Sequence, residues 1–171
     1  AYAGRGTLSG VLEPGDEAPE FTLRGTEGET IEEYSLAAFL ETGPVVLAFY
    51  PQDFSPVCTE ELCTLHEGDY FAFTPGVDVV GVSTDGVYSH REFVRRHDIG
   101  FPLLSDGDGL VADRYDARYD EPHERFGARV VKRSLYVVDG DGTIAYAWQT
   151  EDVEEMPDLL AAKGRLDEIT A

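Results

Sequence analysis

The sequence predicts an α/β domain with helices on both sides of a central sheet. Two runs, residues 45–50 (Val-Val-Leu-Ala-Phe-Tyr) and 77–83 (Val-Asp-Val-Val-Gly-Val-Ser), are almost wholly apolar. That is what strands covered on both faces require. Segments with helical patterning separate the strand candidates, and a hairpin followed by a last helix closes the chain. Strands alternating with helices in this way define a three-layer α/β class. The 171 residues, 42% of them hydrophobic, suit one domain spanning 1–171 with a substantial core.

The elements are expected in the following order. Residues 14–20 are turn-rich and lead into a short strand at 21–23, followed by a hairpin-like turn at 25–29. Ser35 is placed to cap a short helix that runs through Leu40 and stops before Gly43 and Pro44. The buried strand 45–50 ends at Pro51. After the loop 52–57, a helix is expected from Cys58 to about Phe73, with Leu62, Leu65, Phe71 and Phe73 as its apolar positions. Glu60 and Glu61 suit its first turn. Strand 77–83, a helix over 89–97 with Phe93 on its apolar face, a strand at 101–104 and a short helix at 110–115 follow. Strands 135–138 and 144–148 are joined by the turn Asp139-Gly140-Asp141-Gly142. A last helix is expected from about Val153 to Ile169, with Pro157 near its first turn.

The charge excludes several function classes. There are 34 acidic and 13 basic residues, a formal net charge of −21. Nucleic-acid binding needs a basic footprint, and adsorption to an anionic membrane is opposed by the same imbalance. No apolar run approaches the roughly 20 residues of a membrane span. No basic-then-apolar leader pattern opens the chain, so a cytoplasmic address is expected. Only Lys132 and Lys163 are lysines. Self-repulsion on this scale opposes compaction, and molar salt screens it within roughly 3 Å. The composition therefore predicts a halophilic, salt-rich setting.

Two cysteines, Cys58 and Cys63, are too few for a disulfide scaffold or a cysteine-rich metal site. Cys58 follows a loop at a helix start, where free N–H groups and a partial positive charge favour a thiolate. The thiol is therefore expected below its free value of about 8.5. Five positions apart on an ideal helix, the two Cα atoms would lie about 8.6 Å apart. A disulfide needs less than about 7 Å. Any bond between them requires the helix to unwind locally. His66, three residues after Cys63, makes a Cys–Cys–His metal site conceivable, but no fourth ligand accompanies it. These residues therefore lead to no expected metal site.

Pro51, Ser55 and Cys58 fit a Pro-x-x-x-Thr/Ser-x-x-Cys pattern. Glu61 and Cys63 follow it at three and five residues. Lys132-Arg133-Ser134-Leu135-Tyr136-Val137-Val138-Asp139 lies downstream, and Gly15-Asp16-Glu17-Ala18-Pro19-Glu20-Phe21-Thr22-Leu23 lies upstream. Segments 79–85 and 101–106 stand between them in the same order. This combination resembles the peroxiredoxins, and the spacing of the second cysteine resembles the bacterioferritin-comigratory-protein (PrxQ) subfamily, over about residues 12–148. The pattern's usual Thr is Ser55 here, the Thr-Phe that follows the arginine is replaced by Leu135-Tyr136, and the stretch 115–122 departs from the family.

The resemblance implies a thioredoxin-like fold, an α/β/α sandwich around a mixed sheet. It implies a peroxide substrate, a thiol reductant such as thioredoxin, and no need of a metal or organic cofactor. Cys58 would be the nucleophile that becomes a sulfenic acid, and Cys63 would resolve it within the chain. Arg133 would hold the thiolate and the peroxide oxygen, Ser55 would hydrogen-bond at the peroxide, Glu61 would orient Arg133, and Pro51 would shield the sulfur. With no third cysteine in the sequence, an inter-subunit resolving scheme is not implied, and a monomer or weak homodimer is expected. Two rival readings remain at this point. One is a redox-sensing interaction module switched by the same cysteine pair. The other is a general disulfide reductase, which would want Cys-x-x-Cys spacing.

Overall fold

A computed structural model describes residues 11–67 and 74–171. The elements run β1 (Thr22–Thr26), β2 (Ile31–Ser35), α1 (Leu36–Leu40), β3 (Val45–Phe49), α2 (Pro56–Glu67), β4 (Asp78–Ser83), α3 (Val87–His97), β5 (Leu103–Ser105), α4 (Leu110–Arg114), β6 (Ser134–Val138), β7 (Ile144–Gln149) and α5 (Leu159–Thr170). The strands form one sheet in the order β2-β1-β5-β4-β3-β6-β7. β3 pairs parallel with β4, and β4 with β5, while the outer pairs are antiparallel. The expected mixed sheet is thus present.

β3 lies inside the sheet and is buried along its whole length. Side chains alternate across a strand. Val46 and Ala48, with Tyr50 beyond the strand end, join the core beneath α2, α3 and α5. Val45, Leu47 and Phe49 join the core beneath α1 and α4. An apolar residue at every position is the physical consequence of two covered faces.

The Ser35 cap forms as expected. Its Oγ accepts from the Ala38 N–H at 3.2 Å, and α1 ends at Leu40. The hairpin of Asp139 to Gly142 also forms, with an irregularity in register at Val137/Val138. Several elements differ from expectation: β1 runs on to Thr26, into the expected turn, α3 starts at Val87 rather than Ser89, and β5 covers Leu103–Ser105 rather than 101–104. β2 was not anticipated, because Glu32 and Glu33 break any apolar alternation; it forms as an acidic edge strand zipped to β1. α2 starts at Pro56 rather than Cys58, since proline is well suited to a first helical position. The positions 68–73 expected to extend it, with Phe71 and Phe73, lie outside the described residues. α5 starts at Leu159 rather than Val153, because the residue before Pro157 is held out of the helical region. Asp158 caps it instead, accepting from the Ala161 N–H at 3.0 Å. No helix among the described residues is long and apolar enough to cross a membrane.

Candidate active site

The site forms where β3 runs out. The Tyr50 N–H still donates to Val82 O at 3.0 Å, and Pro51 then turns the chain away from the sheet. Pro51 is buried in the loop that follows. Phe54 sits at φ +66°, a left-handed conformation unusual for a bulky side chain. Its ring packs on Phe93, with centroids 4.8 Å apart, and the Arg96 guanidinium lies over its face. The Ser55 carbonyl accepts from the Thr59 N–H at 2.9 Å, so Ser55 occupies the cap position of α2. Its hydroxyl does not cap the helix. It donates to Gln52 O at 3.1 Å.

Cys58 is the third residue of α2 and is fully buried. Glu61, three residues on, shares its side of the helix and is equally buried. Arg133 reaches both from the neighbouring strand. The antiparallel register pairs Phe49 with Ser134, which sets Arg133 beside the end of β3. Its Nη2 donates to Cys58 Sγ at 3.3 Å and to Val153 O at 2.8 Å, while Nη1 donates to Glu61 Oε2. Arg133 is only 1% exposed, so this cation is sequestered from water. Glu61 Oε1 and Arg133 Nε make no hydrogen bond among the described residues.

Cys58, Glu61 and Arg133, chosen from sequence, are therefore in direct contact. Ser55 and Pro51 lie in the loop that delivers Cys58. Cys63 is half-buried further along α2, and no disulfide joins the two cysteines. The helix is continuous from Pro56 to Glu67. Ideal geometry therefore places their Cα atoms about 8.6 Å apart, beyond disulfide reach. His66 accepts from the Gly100 N–H at 3.2 Å.

The electrostatics correct one expectation. Cys58 was expected below its ordinary value, yet burial pushes the thiol up more strongly than Arg133, Ser55 and the Gln52 backbone draw it down, and Glu61 adds to the rise. Burial also pushes Glu61 up to about 7, against the pull of Arg133. One guanidinium thus faces two acidic groups in a dry site. A proton on Glu61 removes the competing charge and leaves the guanidinium to the sulfur. Such a site can hold a thiolate and stabilise charge that develops on an oxygen placed beside it.

Sequence reasoning missed three contributors: the Val153 carbonyl, Asp53 and His90. His90 stands with Phe93 and Val94 on the buried side of α3. That i, i+3, i+4 spacing was the available signal for a buried imidazole.

The chain matches the AhpC/TSA family model over residues 14–147. It belongs to that family and is a thiol-dependent peroxidase. Within the family it is similar to Bcp and Q peroxiredoxins. A protein named as a Bcp peroxiredoxin in Coxiella burnetii is 34% identical over 145 residues, covering 84% of this chain and 92% of that one. The chloroplastic peroxiredoxin Q of Oryza sativa subsp. japonica is 33% identical over 144 residues; the match covers 84% of this chain and 62% of that longer one. The crystal structure of peroxidoxin BcpB from Mycobacterium tuberculosis superposes with a TM-score of 0.76 at 29% identity, covering 94% of this chain and 99% of that one.

Proposed function

We propose that the chain reduces hydrogen peroxide and small organic hydroperoxides at Cys58, with Cys63 as the resolving thiol and a thioredoxin-like dithiol as electron donor. The observation that carries this reading is the buried Arg133 Nη2, 3.3 Å from Cys58 Sγ. In the first step the Cys58 thiolate attacks one peroxide oxygen. The S–O bond forms as the O–O bond breaks. The leaving oxygen departs as hydroxide or alkoxide and takes up a proton, giving water or alcohol, and Cys58 becomes a sulfenic acid. Arg133 stabilises both sulfur and oxygen charge in this step. Ser55 supplies a hydroxyl beside the reacting atoms, Glu61 orients the guanidinium, and Pro51 keeps water from the sulfur.

In the second step the Cys63 sulfur attacks the Cys58 sulfur. The S–S bond forms, and the S–O bond breaks with loss of water. This needs the start of α2 to unwind, given the helical separation of the two residues. An external dithiol then returns two electrons by thiol–disulfide exchange. Both thiols come from one chain, which suits a monomer or weak homodimer. The need for a thiol donor suits a reducing compartment such as cytoplasm.

The test is a free-thiol count before and after one equivalent of hydrogen peroxide, in molar KCl so that self-repulsion is screened. The expected result is that both thiols vanish together within seconds and that a dithiol restores them. Loss of one thiol alone would remove Cys63 from the cycle. No rapid loss would overturn the peroxidase reading.

A further inference from the structure

Behind the loop that carries Pro51 and Ser55 lies a buried polar cluster that does not touch Cys58. Asp53 is its centre. Its Oδ1 accepts from Tyr50 Oη at 2.7 Å. Its Oδ2 accepts from Ser89 Oγ at 2.8 Å and faces His90 Nδ1 at 2.8 Å. The His90 ring is wholly buried, and its Nε2 lies 3.0 Å from Leu104 O. A carbonyl oxygen only accepts, so Nε2 carries a hydrogen. Nδ1 is bracketed by Asp53 Oδ2 and by Tyr50 Oη, which lies 3.3 Å away. His90 and Asp53 are therefore paired side chain to side chain in the core. Both ring nitrogens and both carboxylate oxygens have hydrogen-bond partners, as buried polar groups require.

The same residue is tied down through its backbone. The Asp53 N–H donates to Asp85 Oδ2 at 2.9 Å, and Ser83 Oγ donates to that oxygen at 2.6 Å. Ser105 Oγ in turn donates to Asp85 O at 2.6 Å. One loop residue is thus fixed to the ends of β3, β4 and β5 and to the buried side of α3. The next residue, Phe54, holds its left-handed conformation at φ +66°. Such a conformation persists only where the surroundings over-determine it. Ser55 follows Phe54 directly, and Cys58 lies three residues beyond it.

We infer that the hydrogen-bonded His90–Asp53 pair is a positioning device that anchors the active-site loop, holding Ser55 and Cys58 in the arrangement that reacts with peroxide. The inference rests on the peroxidase reading above. The segment just beyond the anchor is the one that must unwind for Cys58 to meet Cys63. The anchor therefore favours the folded, peroxide-reactive loop over the unwound, disulfide-bearing one. Neither residue touches the reacting atoms, so both act through the loop.

The test separates the two half-reactions of Asp53→Asn, a shape-conserving change that replaces one oxygen facing Tyr50, Ser89 and His90 by an NH2 group. Oxidation of Cys58 by hydrogen peroxide is measured in single turnover. Reduction of the preformed disulfide by dithiothreitol is measured separately. A displacement near 1 Å at a reacting group costs up to roughly 100-fold. The expected result is a 10- to 100-fold slower peroxide step, with disulfide reduction as fast as in the parent chain or faster. Ser89→Ala removes only one donor to Asp53 and should shift the same step in the same direction by a smaller factor. It decides the matter if Asp53→Asn does not fold. Equal slowing of both half-reactions would mean general loss of structure and would overturn the inference, as would no change in either. A parent chain inert to peroxide would overturn the peroxidase reading and this inference together, whereas a reactive parent with an unaltered variant would overturn the inference alone.

Discussion

Replacing Arg133 by lysine keeps the positive charge and removes the planar fork. In the parent chain Nη1 serves Glu61 while Nη2 serves Cys58 and the Val153 carbonyl. One ammonium nitrogen on a flexible stem cannot hold both ends of that span. At 3.3 Å, two unit charges in a medium of effective dielectric 20 attract by about 5 kcal/mol. Most of that through-space attraction survives in the lysine variant. What is lost is the directed hydrogen bond to charged sulfur, worth about 1.5–3 kcal/mol. At 1.36 kcal/mol per factor of ten, the peroxide step should slow roughly 10- to 150-fold. The assay is rapid mixing with excess hydrogen peroxide, quenching by alkylation, and counting of unreacted Cys58. Circular dichroism checks that the variant is folded. A folded Arg133→Lys chain reacting within threefold of the parent would refute the claim that the fork is what matters. Arg133→Met should be slower still, because it also leaves Glu61 buried without a counter-charge.

Cys63→Ser should still consume one equivalent of peroxide, but the sulfenic acid should persist and turnover with a dithiol should stall; unimpaired cycling would remove Cys63 as resolver. Ser55→Ala should slow the peroxide step about fivefold or more, because its hydroxyl helps draw the Cys58 thiol down. Its melting temperature should change little, since the Ser55 carbonyl rather than the hydroxyl accepts the first bond of α2. Glu61 gives a pH signature. Its folded value is raised to about 7, against about 4.3 in an unfolded chain. The folded state therefore holds a proton that the unfolded state releases, and that contribution to stability, present below about 4.3, is lost as pH rises through about 7. Glu61→Gln should gain stability relative to the parent between pH 5 and pH 7.5, by on the order of 2 kcal/mol. Thermal melts at the two pH values check this, and a constant difference between the chains would count against it.

Much of this protein can be read from local sequence because local sequence carries the relevant physics. The unbroken apolar run at 45–50 marks β3, since only a strand covered on both faces tolerates an apolar residue at every position. Ser35 marks the start of α1 because a side-chain cap is a contact within three residues. The spacing of Cys58 and Cys63 on one helix sets their separation without reference to the rest of the chain. The pattern of Pro51, Ser55, Cys58 and Glu61 is local as well, and so the candidate loop could be picked out before its contacts were known.

Tertiary structure decided what depends on distant partners. β2 exists because β1 offers it a backbone ladder, and no apolar pattern announces it. Arg133 reaches Cys58 across 75 residues because the register of β3 with β6 sets Ser134 opposite Phe49. His90 meets Asp53 across 37 residues, and the Leu104 carbonyl and the Asp53 carboxylate face its two nitrogens. The direction of the Cys58 shift was misjudged from sequence for the same reason. A helix start is a local property that lowers a thiol, whereas burial comes from the whole fold and here outweighs it. By itself, then, the sequence determined most of the elements, β2 excepted, and the spacing of residues in the loop that follows β3. Packing alone decided how dry that loop is, which charge faces the sulfur, and what holds it in place.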